Sequence, residues 1–212
     1  NYRLSAELGD GGYDSRLDAN VRISRYDLPN FTVSATADRT YYLPGQDAKV
    51  DVAATYLFGK ELKRGKAKLI RDEEEHWDAT KRQYVKEEAD EQTSDLDDKG
   101  HASFTIALEE FHGALAGDRY KQFEDLRYAA YVTDPSSGRT EQRRFTIRVS
   151  RDPIHIYVFG DSASGGRARF YLSAYYPDGQ PAVCDVRISQ KVGDAPQFLR
   201  SLKTNRYGAA KV

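Results

Sequence analysis

Residues 50–59 have the sequence VDVAATYLFG, in which an apolar or small residue occupies every second position until a glycine ends the run. A period of two is typical of a half-buried β-strand, because successive side chains of a strand point to opposite faces of its sheet. The same alternation recurs in other segments, at 4–8, 17–23, 31–33, 102–108, 145–149, 154–158, 170–176 and 186–188. The chain is therefore predicted to consist mainly of short strands.

Clusters of turn-forming residues separate these segments. They lie at 9–12, 44–46, 134–138 and 177–179. Glycine, proline and aspartate in such clusters favour tight turns. Many short strands separated by such turns predict an all-β fold built from antiparallel, immunoglobulin-like β-sandwich domains. Only residues 80–92 and 107–126 leave room for a helical turn or two.

The composition excludes several classes of protein. The 212 residues carry 32 Lys and Arg against 33 Asp and Glu, and 39% are hydrophobic. The chain is too apolar to be disordered and too balanced in charge for a general nucleic-acid binder. It has no run of 18 apolar residues, so we expect no membrane contact from this segment. Since it starts at Asn1, has no Met and shows no signal peptide, we expect a mature or excised piece of a longer protein.

An internal repeat is the most informative feature of the sequence. The pattern of Val52, Ala54, Tyr56 and Gly59 recurs 120 residues later as Leu172, Ala174, Tyr176 and Gly179. The segment 100–102, GHA, recurs as GAA at 208–210, and VRISR at 21–25 recurs as IRVSR at 147–151. The segments 21–25 and 147–151 are followed by Pro29 and Pro153, which are 124 residues apart.

These offsets predict tandem sandwich domains with a period near 124 residues. The predicted parts are the last strands of one domain (1–28), a complete domain (29–152) and the front of a third (153–212). Both incomplete parts are expected to leave unpaired sheet edges when the chain is alone.

Residues 72–98 form an acidic segment, with twelve Asp and Glu against three Lys and Arg. It coincides with the extra length of the middle repeat, so we interpret it as a solvated insertion or long loop. Asp95 to Gly100 faintly resembles the start of a calcium-binding EF-hand loop. However, the terminal glutamate is missing, because Ile106 stands in its place. A turn with Gly100 at positive φ is the favoured interpretation.

The segment 160–167, GDSASGGR, has the glycine spacing of a phosphate-binding loop but lacks its Lys and Ser/Thr, and a strand rather than a helix follows. Its Gly-Asp-Ser also resembles part of a serine-protease motif, but no His partner is evident. We therefore expect a loop between two strands.

No catalytic, cofactor-binding or metal-ligating residues are predicted. The four histidines lie singly, without metal-ligand spacing, and are expected at the surface or in turns; they are His76, His101, His112 and His155. Cys184 is expected to be a buried structural thiol. The sequon at Asn30 is interpreted as the start of a strand, and most of the fifteen tyrosines as core or turn residues.

Three motifs in order resemble the opening of a macroglobulin domain of the α2-macroglobulin family. They are YDLPNFTV at 26–33, YLPGQ at 42–46 and VDVAATYLFGK at 50–60. The most similar region is the third macroglobulin domain, flanked by the end of the second and the start of the fourth. The lack of paired cysteines is closer to the bacterial members of the family.

This resemblance implies a large inhibitor that entraps proteases after cleavage of a bait segment, in many members with an internal thioester. Family thioesters have the sequence Cys-Gly-Glu-Gln, whereas Cys184 is followed by Asp185, and no bait segment is recognisable here. The chain is thus expected to be a non-catalytic structural fragment of a periplasmic protein, with or without a membrane anchor elsewhere. Its expected partners are neighbouring domains of the same chain and, through the full-length protein, target proteases.

Two alternatives remain open. One is a tandem immunoglobulin-like adhesin or carbohydrate-binding array located outside the cell, in which the tyrosines and the acidic segment contact a ligand. The other is an accessory domain of a secreted enzyme.

Overall fold

The computed structural model describes residues 2–7, 16–21, 30–71, 76–78, 83–85, 90–164, 167–192 and 195–212. The chain divides into two compact units, Asn1–Asn30 and Phe31–Val212. In the first unit, β1 (Tyr2–Glu7) and β2 (Arg16–Val21) pair as an antiparallel hairpin.

The second unit begins with a two-sheet arrangement. Its strands are β3 (Phe31–Ala37), β4 (Ala48–Tyr56), β5 (Lys66–Arg71), β6 (His76–Asp78), β7 (Gln83–Val85), β8 (Glu91–Asp95), β9 (His101–Ile106), β10 (Phe123–Thr133) and β11 (Thr140–Ser150). One sheet has the order β3-β4-β9 and the other β11-β10-β5-β8, while β6 and β7 form a separate hairpin. The helix α1 (Glu109–Gly117) follows β9. All these strand pairs are antiparallel.

The core contains alternate residues of both sheets. On β4, Val50, Val52 and Ala54 are at most 1% exposed, while Asp51 between them is exposed. They belong to one buried cluster with side chains of the other sheet, such as Leu69. The predicted period of two is therefore confirmed for β4, and the fold is an all-β, immunoglobulin-like β-sandwich. At 154–158 the prediction is wrong, because His155 is buried whereas Ile156 and Val158 are exposed.

Five further strands follow the linker 151–154. They are β12 (His155–Ser164), β13 (Arg167–Tyr175), β14 (Asp185–Val192), β15 (Ala195–Lys203) and β16 (Ala209–Lys211). They pair as β12-β13-β16 and as β14-β15. This is the order in which β3-β4-β9 and β5-β8 pair, so the sequence repeat is also a structural repeat.

The repeat extends to individual hydrogen bonds at the ends of β4 and β13. Ala54 N–H donates to Gly100 O at 3.0 Å, and its carbonyl accepts from Leu62. Ala174 likewise donates to Gly208 O at 2.8 Å, and its carbonyl accepts from Ala182. The domain boundaries drawn from the sequence stay a prediction.

Several expectations need correction. The region 80–92 was expected to allow a helical turn, but its described parts lie in β7 and β8. Residues 160–164 extend β12, with a register shift between Gly160 and Ala163, so the expected loop is mostly strand. The helix within 107–126 and the turns near 44, 134 and 177 are confirmed. The predicted turn at 9–12 lies outside the described residues.

The acidic segment is more structured than a loop. Its residues 91–95 form β8, which pairs with β5. Glu91 forms an ion pair with Lys68, with Oε2 and Nζ 2.6 Å apart. Residues 76–78 and 83–85 also pair as strands. The interpretation as a long loop is therefore wrong for these parts, which are strands, while the residues of β8 are alternately exposed and half-buried. The favoured turn at Asp95 to Gly100 is confirmed, since Gly100 has φ of 78° and Asp97 accepts hydrogen bonds from Lys99 and His101.

Gly100 combines a left-handed backbone with a close approach of two chain segments. A Cβ atom added there would lie 2.8 Å from the Ala54 carbonyl oxygen, whereas one added at Gly45, also left-handed at φ of 81°, would meet nothing within 4 Å. We expect Gly45→Ala to cost roughly 1–2 kcal/mol of unfolding free energy from backbone strain alone. Gly100→Ala should cost about 1–3 kcal/mol more because of the clash. Urea unfolding of both variants checks this, and equal losses would contradict it.

His112 on α1 is 8% exposed, and neither ring nitrogen has a hydrogen-bond partner. Burial therefore lowers its pKa below the ordinary 6.5. The unfolded chain then binds the proton more readily, so stability should fall as the pH drops below about 6.5. We expect His112→Leu and His112→Gln to lose part of this pH dependence in urea unfolding at pH 7.5 and 5.5. A stability difference from the wild type that is the same at both pH values would contradict the prediction.

Candidate functional site

The candidate site is a joint where the sandwich of residues 31–150 meets the strands that follow the linker. At its centre lies Arg148 on β11. Its Nε and Nη2 atoms donate to the two carboxylate oxygens of Asp125 at 2.6 and 2.5 Å. Asp125 is directly opposite Arg148 in the register of β10 and β11. This is a bidentate arginine–carboxylate pair, which holds the guanidinium in one orientation.

The third donor of the guanidinium crosses the joint. Arg148 Nη1 donates to the carbonyl oxygen of Pro177 at 2.6 Å. Pro177 is buried and begins the tight turn between β13 and β14. The guanidinium carbon also lies 4.3 Å from the ring centroid of Phe123, a cation–π contact. One side chain thus links β10, β11 and the turn of the following strands. The hydrogen bonds to Asp125 raise the pKa of Arg148 further above its ordinary value.

A second set of contacts lies beside the linker. The imidazole of His155 stacks on Phe123, with ring centroids 5.7 Å apart. His155 Nε2 is also 2.9 Å from Ser150 Oγ. Burial lowers the pKa of His155, and the nearby charge of Arg148 acts in the same direction, whereas Asp152 opposes it. The residue is 4% exposed, so this ring is part of the packed joint.

The loop that follows β3 completes the joint. Thr40 Oγ1 donates to Asp178 Oδ2 at 3.1 Å. The loop is held in place by Tyr42, which is fully buried, exchanges backbone hydrogen bonds with β11 and donates its hydroxyl to Asp38 at 2.6 Å. Burial, together with the hydrogen bond to Asp38, raises the pKa of Tyr42. The fixed loop therefore holds Thr40 within hydrogen-bond distance of Asp178.

The residues considered from the sequence lie apart from one another. His101 is exposed and its Nδ1 lies 2.8 Å from Asp51, whereas His112 and His155 are buried, so the expectation of surface histidines is wrong for these two. The side chain of His76 lies outside the described part. Among the described residues no group of three His, Cys, Asp or Glu could hold a metal ion.

Cys184 is half-buried, just before β14, and Thr204 Oγ1 lies 3.9 Å from its sulfur. Asn30 directly precedes β3, as interpreted. Tyr42 and Tyr128 are in the core and Tyr120 lies in a bend, whereas Tyr157 and Tyr171 are exposed on the strands β12 and β13. The expectation that tyrosines are core or turn residues therefore holds only in part.

Sequence reasoning named His155, the turn at 177–179 and the motif that contains Tyr42, but it gave none of them a role in a joint. It did not single out the other residues of the joint. Arg148 and Ser150 both lie in the repeated segment 147–151, so the repeat was the signal that could have identified them. Asp125 and Phe123 lie outside any repeated pattern that we identified.

Comparison with known proteins relates this fold to one family. A family model of the macroglobulin domain MG3 matches residues 25–114. The native E. coli alpha-2-macroglobulin, a cryo-EM structure, is similar with a TM-score of 0.50 and 16% identity over 98% of this chain and 15% of that chain. A mutant of Salmonella alpha-2-macroglobulin has a TM-score of 0.50 at 13% identity, over 99% of this chain and 16% of that chain.

No curated protein sequence gives a significant match. At these identities the solved structures show the fold, and the family model shows the macroglobulin domain. The resemblance to the macroglobulin domains of α2-macroglobulins is therefore confirmed, while this chain spans only about 15% of the length of the E. coli protein.

Ser150 supports the joint through one fully buried hydroxyl. Its Oγ donates to the carbonyl oxygen of Asp152 at 2.8 Å and also contacts His155. We expect Ser150→Ala to lower the unfolding free energy by about 1–3 kcal/mol, because buried polar partners lose their hydrogen bonds. Ser103→Ala, an exposed serine on β9, is the matched control and should change it by less than about 0.5 kcal/mol. Equal effects in thermal unfolding would contradict the prediction.

Proposed function

We propose that this chain, whose residues 25–114 belong to the macroglobulin domain family, is a non-catalytic structural segment of a bacterial-type α2-macroglobulin. The complete protein would be a broad-spectrum endopeptidase inhibitor that traps proteases after cleavage of a bait segment. The observation that carries this proposal is the match to the MG3 model over residues 25–114, which include the strands β3 to β9 and most of the helix α1.

The joint supports a role in architecture. A shell made of sandwich domains encloses another protein only if consecutive domains keep a defined angle. In this chain, charged, aromatic and backbone groups hold the sandwich of residues 31–150 to the strands that follow it, through Arg148, Phe123 and Thr40. Contacts of this kind would keep consecutive domains of such a shell at a fixed angle.

The proposed location is the bacterial periplasm or envelope. No helix among the described residues is long and apolar enough to cross a membrane. The proposed partners are neighbouring domains of the same protein and the proteases that it traps.

Incubation of the full-length protein with a broad-specificity protease tests this function. We expect the protease to keep its activity toward a small peptide substrate and to lose most of its activity toward a large protein substrate, because a trapped protease is still reached by small molecules. Protease alone, and protease mixed with the heat-unfolded inhibitor, serve as controls.

If both activities are unaffected, protease trapping is wrong. The adhesin or carbohydrate-binding alternative is then the better hypothesis, and glycan binding by the chain would be measured next.

A further inference from the structure

We propose that Arg148 fixes the angle between the sandwich of residues 31–150 and the strands of residues 155–212. Without its guanidinium the two parts would rotate about the linker 151–154. This inference is separate from the proposed function, because it concerns the motion of this chain alone and needs no protease.

The geometry places contacts between the two parts at different points. Arg148 reaches the Pro177 carbonyl, Thr40 reaches Asp178, and Phe123 stacks on His155. Contacts at separate points define an orientation, whereas a covalent linker alone leaves it free. Arg148 takes part in the first and third of these, directly through Pro177 and indirectly by packing on Phe123. Ser150 Oγ adds a fourth contact, 2.9 Å from His155 Nε2.

Hydrogen bonds hold the start of the linker to the sandwich. Arg151 N–H donates to Gln122 O at 3.0 Å, and the Asp152 carbonyl accepts from Ser150 Oγ at 2.8 Å. Pro153 and Ile154 follow as bends before β12. Rotation is therefore expected at these two residues, since hinges are usually a few positions at the ends of elements.

The contact requires an arginine rather than any cation. Two of the guanidinium donors are occupied by Asp125, and a third points across the joint to Pro177. The planar fork fixes these directions relative to one another. A lysine would keep the positive charge, but its ammonium group could not hold Asp125 with two parallel bonds, reach Pro177 and lie flat on Phe123 at once.

Distance measurements by pulsed electron paramagnetic resonance test the proposal on the whole chain. Nitroxide labels are attached through Ser103→Cys on β9 and Ser201→Cys on β15, both exposed positions, in a chain that also carries Cys184→Ser. We expect one narrow distance distribution with Arg148 present. In Arg148→Ala and Arg148→Lys the distribution should be about twofold wider, as for a released hinge.

Arg143→Ala is the matched control, because Arg143 is an exposed arginine on the same strand, and it should keep the narrow distribution. Thermal unfolding of each variant shows whether the sandwich is still folded, and Arg148→Lys decides the matter if Arg148→Ala does not fold. The proposal is overturned if the folded Arg148 variants keep the original width, or if Arg143→Ala widens the distribution equally.

Discussion

A close approach of two backbones at the end of a core strand organises both copies of the repeat. At Ala54 the chain hydrogen-bonds on one side to Gly100 and on the other to Leu62, and Gly208 makes the same approach to Ala174. Only a residue without Cβ fits at Gly100 and Gly208, where an added atom would lie 2.8 and 2.2 Å from a carbonyl oxygen. The hydrogen bonds at Ala54 join the segment that leads to β5 with the turn that leads to β9. They therefore connect the two sheets of the sandwich and place the apolar faces of the sheets opposite each other.

The sequence was sufficient to predict strands that bury one face only. On β4 burial alternates from Ala48 to Ala54, as the sequence pattern predicts. Strands with a different environment were harder to predict. In β10, Tyr128, Ala129 and Ala130 are buried consecutively, which removes the period of two. In β8 the chain reads EQTSD, with no apolar residue to mark a strand, and its role depends on pairing with β5.

The candidate site was less predictable than the fold because its properties come from long-range packing. An arginine on a strand normally lies on the surface. Arg148 becomes structural only because Asp125 is opposite it and the turn at Pro177 comes within reach. The buried histidines illustrate the same limit, since nothing near His112 or His155 in the sequence distinguishes them from the exposed His101. Local patterns predict which face is buried, but not which distant segments meet.

The acceptor at Pro177 is a main-chain carbonyl, which every amino acid possesses. The side chains that determine this contact therefore belong almost entirely to the preceding sandwich, through Arg148, Asp125 and Phe123. Apart from Asp178, whose side chain accepts a hydrogen bond from Thr40, the turn can change its sequence as long as its backbone path is kept. Because one domain supplies nearly all the side chains of the contact, the sequences of neighbouring domains in a repeat protein can diverge independently while the relative placement of the domains is kept.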